Sequence, residues 1–456
     1  MTGLRQFLGD QHLDHGWLPT VVEALALLIA LVSLWRFGRR WPRWLPVAAA
    51  VAGIVVAGSV AWYLHDEGIT GDPAPARLWW WLAVGGFWLV VAALGWRWAG
   101  WRAGVLSCAT ALLCVLSIGL TVNAWVGYFP TVHSAWAQLT VAPLPGQTDR
   151  MTVTAMQLSG ERPEHGVVVP VTTTAEISGF GHRTELVYLP PAWFATNPPP
   201  ELPVVMMLGS QLNLPSDWLR AGNASNIIEN FATAHRGMSP IFVFPDATGA
   251  FDNDTECVDG PRGNASTHLT EEVVPFVISD FGASADPRQW GIVGWSMGGT
   301  CAAHLATRRP DLFGSIVDIA GDLRPNAGTP EQTLDRLFGG DEARRAQFDP
   351  ATVIRAHGRY ADLAAVFVVP GDPARRRDAL DNPEGQDVAA DTLCRLGMTH
   401  GIDCSVQVIP GKHDWTFAGA GFDRALPWLA GRLGTPGLPE VAPPGTAPQP
   451  QDTPSG

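Results

Sequence analysis

The chain has 456 residues, a formal net charge of -13, only 16% charged residues and 20 tryptophans. This length suits two or three structural units rather than one. The negative charge leaves no basic surface for a phosphate backbone, so we expect no nucleic-acid partner. The low content of charged residues excludes disorder over the whole length and indicates that part of the chain lies in lipid.

Four apolar stretches occupy the first third of the chain, at residues 18–35, 45–64, 78–96 and 103–126. A helix needs about 20 residues to cross the hydrocarbon core of a bilayer, so each stretch is long enough to span it. A signal peptide is the alternative for the first stretch, but that stretch contains Glu23, lacks a basic n-region and is followed by three more. The sequence therefore predicts a membrane-embedded region of four helices over residues 1–127.

The arginines beside these stretches indicate their orientation. They lie between the first and second stretches and between the third and fourth: Arg36, Arg39, Arg40, Arg43, Arg97 and Arg102. Loops rich in arginine stay in the cytoplasm. We therefore predict a multi-pass protein of the cell membrane whose N-terminus and whole chain after residue 126 lie outside the cytoplasm.

The rest of the chain divides into a linker, a folded domain and a tail. Residues 128–165 are predicted to be a linker, and the proline-rich residues 434–456 a disordered tail. Between them, at residues 166–433, short β-branched runs alternate with helical segments, which is typical of an α/β domain. Its uniformly apolar runs favour strands covered on both faces of a mostly parallel central sheet.

The main chemical motif is the run GWSMGG at residues 294–299, which follows a strand-like segment and precedes a helical one. A G-x-S-x-G turn in this setting exposes the serine hydroxyl as a nucleophile and points the next backbone N–H at the developing oxyanion. We predict that Ser296 is the nucleophile and that the N–H of Met297 is one oxyanion donor. The second donor is expected in the loop after residues 203–208, from the N–H of Ser210 or Gln211.

A serine nucleophile needs a base and an orienting acid. His413 follows the last strand-like run, where α/β-hydrolases carry their histidine, and we predict that it is the base. The acid is expected after the preceding strand, which ends directly before Asp372. Asp378, six residues further on, is the alternative acid, and pairing with the arginines between them is the non-catalytic explanation for both.

Five segments carry a resemblance to a known family: VYLPPAWF, LPVVMMLGS, TECVDGPRGNASTHLTEEVVPFV, GWSMGG and GKHDW. Over residues 167–433 the chain resembles the "putative esterase" family of α/β-hydrolases, which includes esterase D and the antigen 85 mycolyltransferases. The resemblance implies a serine–acid–histidine triad at Ser296, Asp372 and His413. The chain departs from the antigen 85 branch in its four spans and in its acid, since that branch uses a glutamate and none follows the run before Asp372 until Glu384.

These features predict a membrane-anchored, extracytoplasmic serine esterase that acts on a lipid ester of the cell envelope. Transfer of the acyl group to an acceptor other than water stays open, and so does a non-catalytic envelope protein with a decayed hydrolase domain. A transporter is disfavoured because the spans hold few ionisable side chains. We expect no cofactor, and the sequence does not indicate the oligomeric state.

Four of the six cysteines lie in the predicted outer domain. An even number of cysteines in an oxidising compartment favours disulfides. The short separation of Cys394 and Cys404 predicts a local bridge between them, which leaves Cys257 to pair with Cys301. No C-x-x-C or histidine-rich spacing accompanies them, so a metal site is not expected.

Overall fold

The computed structural model describes residues 9, 11–67, 73–140, 142–372 and 385–448 of the chain. The chain divides into two compact units, residues 1–142 and residues 143–456.

The first unit is helical, and four helices among its described residues are long and apolar enough to cross a bilayer. Its helices are α1 (Trp17–Phe37), α2 (Trp44–Asp66), α3 (Ala76–Leu94), the single turn α4 (Trp96–Ala99), α5 (Trp101–Val126) and α6 (Val132–Leu139). Large apolar side chains cover the outside of these helices, with Leu31, Ile54 and Leu112 each more than 60% exposed. Such a surface suits lipid rather than water.

Small residues let two of these helices touch. A Cβ added at Gly53 of α2 would overlap the carbonyl group of Ala83 on α3, and one at Gly86 would come within 2.8 Å of the Gly53 Cα. Close approach of backbones at small residues is the usual way in which membrane helices gain van der Waals contact. The pair α2–α3 is therefore packed backbone to backbone.

The segment predicted as a linker contains two helices instead. Thr131 caps α6, where its side chain accepts a hydrogen bond from the N–H of Ser134. Asp149 caps α7 (Arg150–Ser159) in the same way, and Val153 of that helix is buried in the core of the second unit. The boundary between the two units thus falls within residues 128–165. Two capping residues and one buried valine order this segment, whose composition alone indicated a linker.

The second unit is built on an eight-stranded sheet in the order β1-β2-β4-β3-β7-β8-β9-β10. Its strands, together with a separate two-stranded hairpin of β5 and β6, are β1 (Val167–Val171), β2 (Glu185–Leu189), β3 (Val204–Leu208), β4 (Ile241–Phe244), β5 (Asp259–Gly260), β6 (Gly263–Asn264), β7 (Trp290–Trp295), β8 (Ser315–Ile319), β9 (Ala364–Pro370) and β10 (Asp403–Ile409). The first two strands pair antiparallel, whereas β4, β3, β7, β8, β9 and β10 all run parallel. The prediction of an α/β domain with a mostly parallel sheet is confirmed.

The second unit also contains helices. They are α8 (Asp217–Arg220), α9 (Ala224–Ala234), α10 (Ala265–Thr267), a π-helical turn (His268–Val273), α11 (Val274–Phe281), α12 (Met297–Arg308), α13 (Pro330–Phe338), α14 (Glu342–Phe348), α15 (Pro350–His357), α16 (Gln386–Thr399) and α17 (Trp415–Arg432). All residues of β3 and β7 are buried, as expected for central strands with helices on either side. The carboxyl ends of the parallel strands share one edge, and the loops that carry the predicted site residues leave from it.

The chain after α17 is ordered up to residue 448, which differs from the expected disordered tail. Thr446 pairs with Val406 of β10 through hydrogen bonds in both directions, and Ser405 Oγ donates to the carbonyl oxygen of Pro444 at 2.8 Å. A strand at the edge of a sheet leaves N–H and C=O groups unpaired, and this segment covers part of that edge. Residues 449–456 lie outside the described residues.

Both predicted disulfides are present. Cys257, in the loop after β4, is bonded to Cys301 on α12, and Cys394 on α16 is bonded to Cys404 on β10. The first bridge attaches a long loop to the helix that starts beside Ser296. It therefore braces the surroundings of the predicted nucleophile.

Candidate active site

Ser296 is the single residue that connects the last residue of β7 to the first residue of α12. Its φ of 56° and ψ of -119° are unusual for a residue with a side chain. The N–H of Ser296 donates to the carbonyl oxygen of Ile319 on the neighbouring strand at 2.9 Å. A Cβ at Gly294 would overlap the backbone of Gly298, so the glycines make this sharp turn possible. The strain exposes the hydroxyl at the edge of the sheet.

The structure brings the predicted base to this hydroxyl. His413 Nε2 lies 2.9 Å from Ser296 Oγ. The loop that carries the imidazole is anchored because Asp414 caps α17, accepting a hydrogen bond from the N–H of Phe417 at 2.8 Å. The buried indole of Trp295 lies against the imidazole, with 4.3 Å between ring centroids. His413 is therefore held from two sides in a position to accept the serine proton.

The other imidazole nitrogen contacts a residue that sequence reasoning missed. Gln386, the first residue of α16, places its amide nitrogen 2.7 Å from His413 Nδ1. The glutamine is 3% exposed, and its Oε1 atom is buried with no hydrogen-bond partner among the described residues. No motif marks this position, since it lies at a helix start 27 residues before the histidine.

The two candidates for the acid of the predicted triad both follow β9 in the chain. Asp372 follows β9 on the same edge of the sheet, as expected, and its side chain is exposed. Asp378 lies outside the described residues, which resume at Gly385. The choice between these two carboxylates stays a prediction.

The surroundings of the expected oxyanion site bring two backbone segments together. Met297 is the first residue of α12, so its N–H has no acceptor within the helix. A Cβ at Gly298 would overlap the carbonyl oxygen of Leu208 and crowd that of Gly209, which shows how closely the loop after β3 approaches the turn at the nucleophile. The loop is fixed by a hydrogen bond from Asn213 Nδ2 to the carbonyl oxygen of Ser210. The N–H groups of Met297 and Ser210 remain the predicted oxyanion donors.

Two buried carboxyl groups of the catalytic domain have raised pKa values, and one of them, Asp318, lies beside the helix that starts after Ser296. Asp318 on β8 accepts a hydrogen bond from the N–H of Gly321 at 2.8 Å, and burial raises its pKa to about 7, with a smaller contribution from Asp322. Burial also raises the pKa of Glu256 well above its usual range, and the charges of Asp254 and Asp322 act in the same direction. The sequence analysis singled out neither carboxyl group.

Among the described residues, one buried group of side chains has the composition of a metal site: His182, Glu185 and His268. The imidazole of His268, however, lies between two carboxylates, with Glu185 at 3.1 Å and Glu272 at 2.8 Å. Burial lowers the pKa of His268, but its hydrogen bonds to these carboxylates outweigh burial and raise it. Both ring nitrogens thus act as donors, and the cluster works as an ion-paired connection between β2 and the π-helical turn.

A model of the family described as "Putative esterase" matches residues 181–429. An uncharacterized protein of Corynebacterium glutamicum is 26% identical over 423 residues, which are 91% of this chain and 96% of the relative.

Solved structures include a ferulic acid esterase, 17% identical with a TM-score of 0.47, which is matched over 99% of its own length and 59% of this chain. An S-formylglutathione hydrolase from Agrobacterium tumefaciens is 18% identical with the same TM-score, over 95% of its length and 59% of this chain. The family model covers more than half of the chain. This protein therefore belongs to the esterase family and is a carboxylic ester hydrolase that carries candidate membrane helices ahead of its catalytic domain.

Proposed function

We propose that this protein is a membrane-anchored serine esterase that hydrolyses a lipid ester of the cell envelope on the outer side of the cytoplasmic membrane. The observation that carries the proposal is the 2.9 Å distance between Ser296 Oγ and His413 Nε2 at a strained turn between strand and helix. A nucleophile and base within hydrogen-bond reach are the minimum that ester cleavage by a serine requires.

The reaction proceeds in two halves. Ser296 Oγ attacks the carbonyl carbon of the ester while His413 Nε2 takes the hydroxyl proton, and the N–H groups of Met297 and Ser210 stabilise the resulting oxyanion. Collapse of this intermediate breaks the bond to the alcohol, which leaves with the proton from His413. A water molecule then repeats both steps on the acyl-enzyme, releasing the acid and regenerating the serine. Asp372 is the proposed partner of the imidazolium that forms in each half.

The proposed location rests on two independent features. The arginines beside the spans favour an outer position for everything after residue 126. The two disulfides of the catalytic domain suit an oxidising compartment. Alkaline phosphatase, which is active only outside the cytoplasm, should be active when fused after Gly456. Activity of cytoplasmic reporters alone at this position would contradict the proposed location.

The proposed lipid substrate rests on the amount of chain in the spans. One helix would suffice as an anchor, whereas the described part of this chain contains four candidate spans. We expect full-length protein in nanodiscs to hydrolyse an ester lipid in the same disc faster than the same lipid in separate discs. A soluble short-chain ester serves as the reference substrate. Equal rates for the two presentations would contradict a lipid substrate in the membrane that holds the enzyme.

The test of the catalytic proposal is labelling of the full-length protein with a fluorophosphonate probe. We expect the wild type to be labelled and Ser296→Ala to be unlabelled and inactive. The exposed Ser279, on α11, provides the matched control, and Ser279→Ala should be labelled like the wild type. Absence of labelling in a folded wild type would favour the non-catalytic alternative.

A further inference from the structure

The imidazole of a serine hydrolase must carry its proton on the correct nitrogen. His413 Nε2 faces Ser296 Oγ, so it can accept the serine proton only when the ring proton is on Nδ1. An Nδ1–H group in this position needs an acceptor, because the contact is partly buried and a donor shielded from water without an acceptor is costly. The group described at Nδ1 is the side-chain amide of Gln386, at 2.7 Å.

An amide offers the imidazole two different partners, a donor NH2 group and an acceptor oxygen. With the NH2 group facing Nδ1, as in the structure, the imidazole proton must be on Nε2, and the ring then donates to Ser296 Oγ. A rotation of the amide by about 180° would bring Oε1 to Nδ1. That arrangement stabilises the tautomer whose Nε2 lone pair faces the serine.

The surroundings of Gln386 permit such a rotation, which exchanges the hydrogen bond between its Nε2 and His413 Nδ1 for one between its Oε1 and Nδ1–H. Its Oε1 atom is buried and has no hydrogen-bond partner among the described residues, so turning the amide breaks no bond of that oxygen. A buried carbonyl oxygen gains from meeting a donor. The residue also starts α16, a helix tied to β10 by the Cys394–Cys404 bridge, and β10 leads into the loop of His413.

On the basis of the proposed serine mechanism, we propose that Gln386 is a positioning residue that selects the tautomer of His413 through the orientation of its side-chain amide. It acts at the nitrogen where a triad acid acts, but without a charge. It therefore stabilises the proton-accepting tautomer, and it stabilises the imidazolium less than a carboxylate would. A carboxylate such as Asp372 would supply that second contribution, so the two roles are separable.

The proposal predicts different effects on kcat for two substitutions at Gln386 that are similar in size. Gln386→Leu removes both donor and acceptor, and we expect kcat for p-nitrophenyl butyrate to fall about 10- to 100-fold with KM changed less than about twofold. Gln386→Glu restores an acceptor and should recover most of this loss. It should also move the acid limb of the kcat/KM profile to higher pH, since a carboxylate at this distance favours the imidazolium.

Among the described residues, charged side chains nearby along the chain are Asp372 after β9, Asp387 on α16, and Lys412 and Asp414 beside His413. All of them stay unchanged in these variants, so a shift of the acid limb reports the new carboxylate. Gln407→Leu is the matched control, because Gln407 on β10 also has a buried side-chain oxygen without a partner among the described residues. This control should keep the kcat and pH profile of the wild type.

The experiment uses full-length protein in nanodiscs, with thermal unfolding measured for every variant. A selective loss of kcat in Gln386→Leu, with recovery and a shifted acid limb in Gln386→Glu, supports the proposal. If Gln386→Leu matches Gln407→Leu in kcat and pH profile while Ser296 is still labelled by fluorophosphonate, the proposal is wrong. A wild type that is not labelled at Ser296 would instead overturn the serine mechanism itself.

Discussion

The buried carboxyl of Asp318 should make the stability of the catalytic domain fall as pH rises. Its pKa is about 7 in the folded protein, against an ordinary value of 3.8, chiefly because it is buried. A difference of about three units corresponds to about 4 kcal/mol at 1.36 kcal/mol per unit. Below about pH 4 the group is protonated in both states. Between about pH 4 and 7 the unfolded chain loses this proton first, and above about pH 7 the full cost is present.

Asp318→Asn removes the charge but keeps an oxygen that can accept the N–H of Gly321. Relative to the wild type, the free energy of unfolding of this variant should therefore increase by up to about 4 kcal/mol between pH 4 and pH 8. A constant offset of about 1 to 3 kcal/mol from the new NH2 group does not affect this slope. Other titrating groups cancel, because the comparison is between two proteins that share them.

The measurement is urea unfolding of full-length protein in nanodiscs at several pH values, followed by pulse proteolysis of the catalytic domain. Asp252→Asn is the control, because Asp252 is exposed and should give a curve parallel to that of the wild type. If Asp318→Asn is also parallel to the wild type, the carboxyl is not a protonated group beside the nucleophile and the reasoning fails.

Three further predictions concern the disulfide, the turn at the nucleophile and the acid. Replacing Cys257 and Cys301 by alanine opens a bridge with a sequence separation of 44, which should lower the free energy of unfolding by about 4 kcal/mol in the same urea assay; an unchanged midpoint would contradict this. Gly298→Ala places a Cβ against the last carbonyl of β3, and kcat should fall at least about 100-fold without unfolding, as measured by ester turnover and thermal melts. Asp372→Asn should reduce kcat severely, whereas a mild effect there beside a severe one for Asp378→Asn would move the acid to the later residue.

The elements that could be predicted from the sequence are those with local signals. The length of the apolar stretches predicts the candidate spans. Uniformly apolar runs between helical segments predict the parallel strands. The role of Ser296 is predicted by a short motif, because the sharp turn around it needs glycines at nearby positions. His413 follows from its place after the last strand, and the disulfide pairing from a separation short enough to close locally.

Gln386 and the ordered tail could not be predicted in the same way. Gln386 contacts His413 because the start of α16 lies beside the loop that follows β10. A glutamine at a helix start has no distinctive sequence pattern. The tail is ordered by backbone hydrogen bonds between Thr446 and Val406, which depend on an unpaired sheet edge rather than on side-chain composition.

By itself, the sequence determined the two kinds of structure in this protein and pointed to Ser296 and His413 as the candidate nucleophile and base, since hydrophobic periodicity and the G-x-S-x-G turn act over a few residues. Only the tertiary structure decided which group faces His413 Nδ1 and which carboxyls, Asp318 among them, become buried beside the nucleophile. These features arise from contacts between segments far apart in the chain. Hydrogen-bond geometry and loss of solvent depend on how those segments pack, and no local pattern of residues records it.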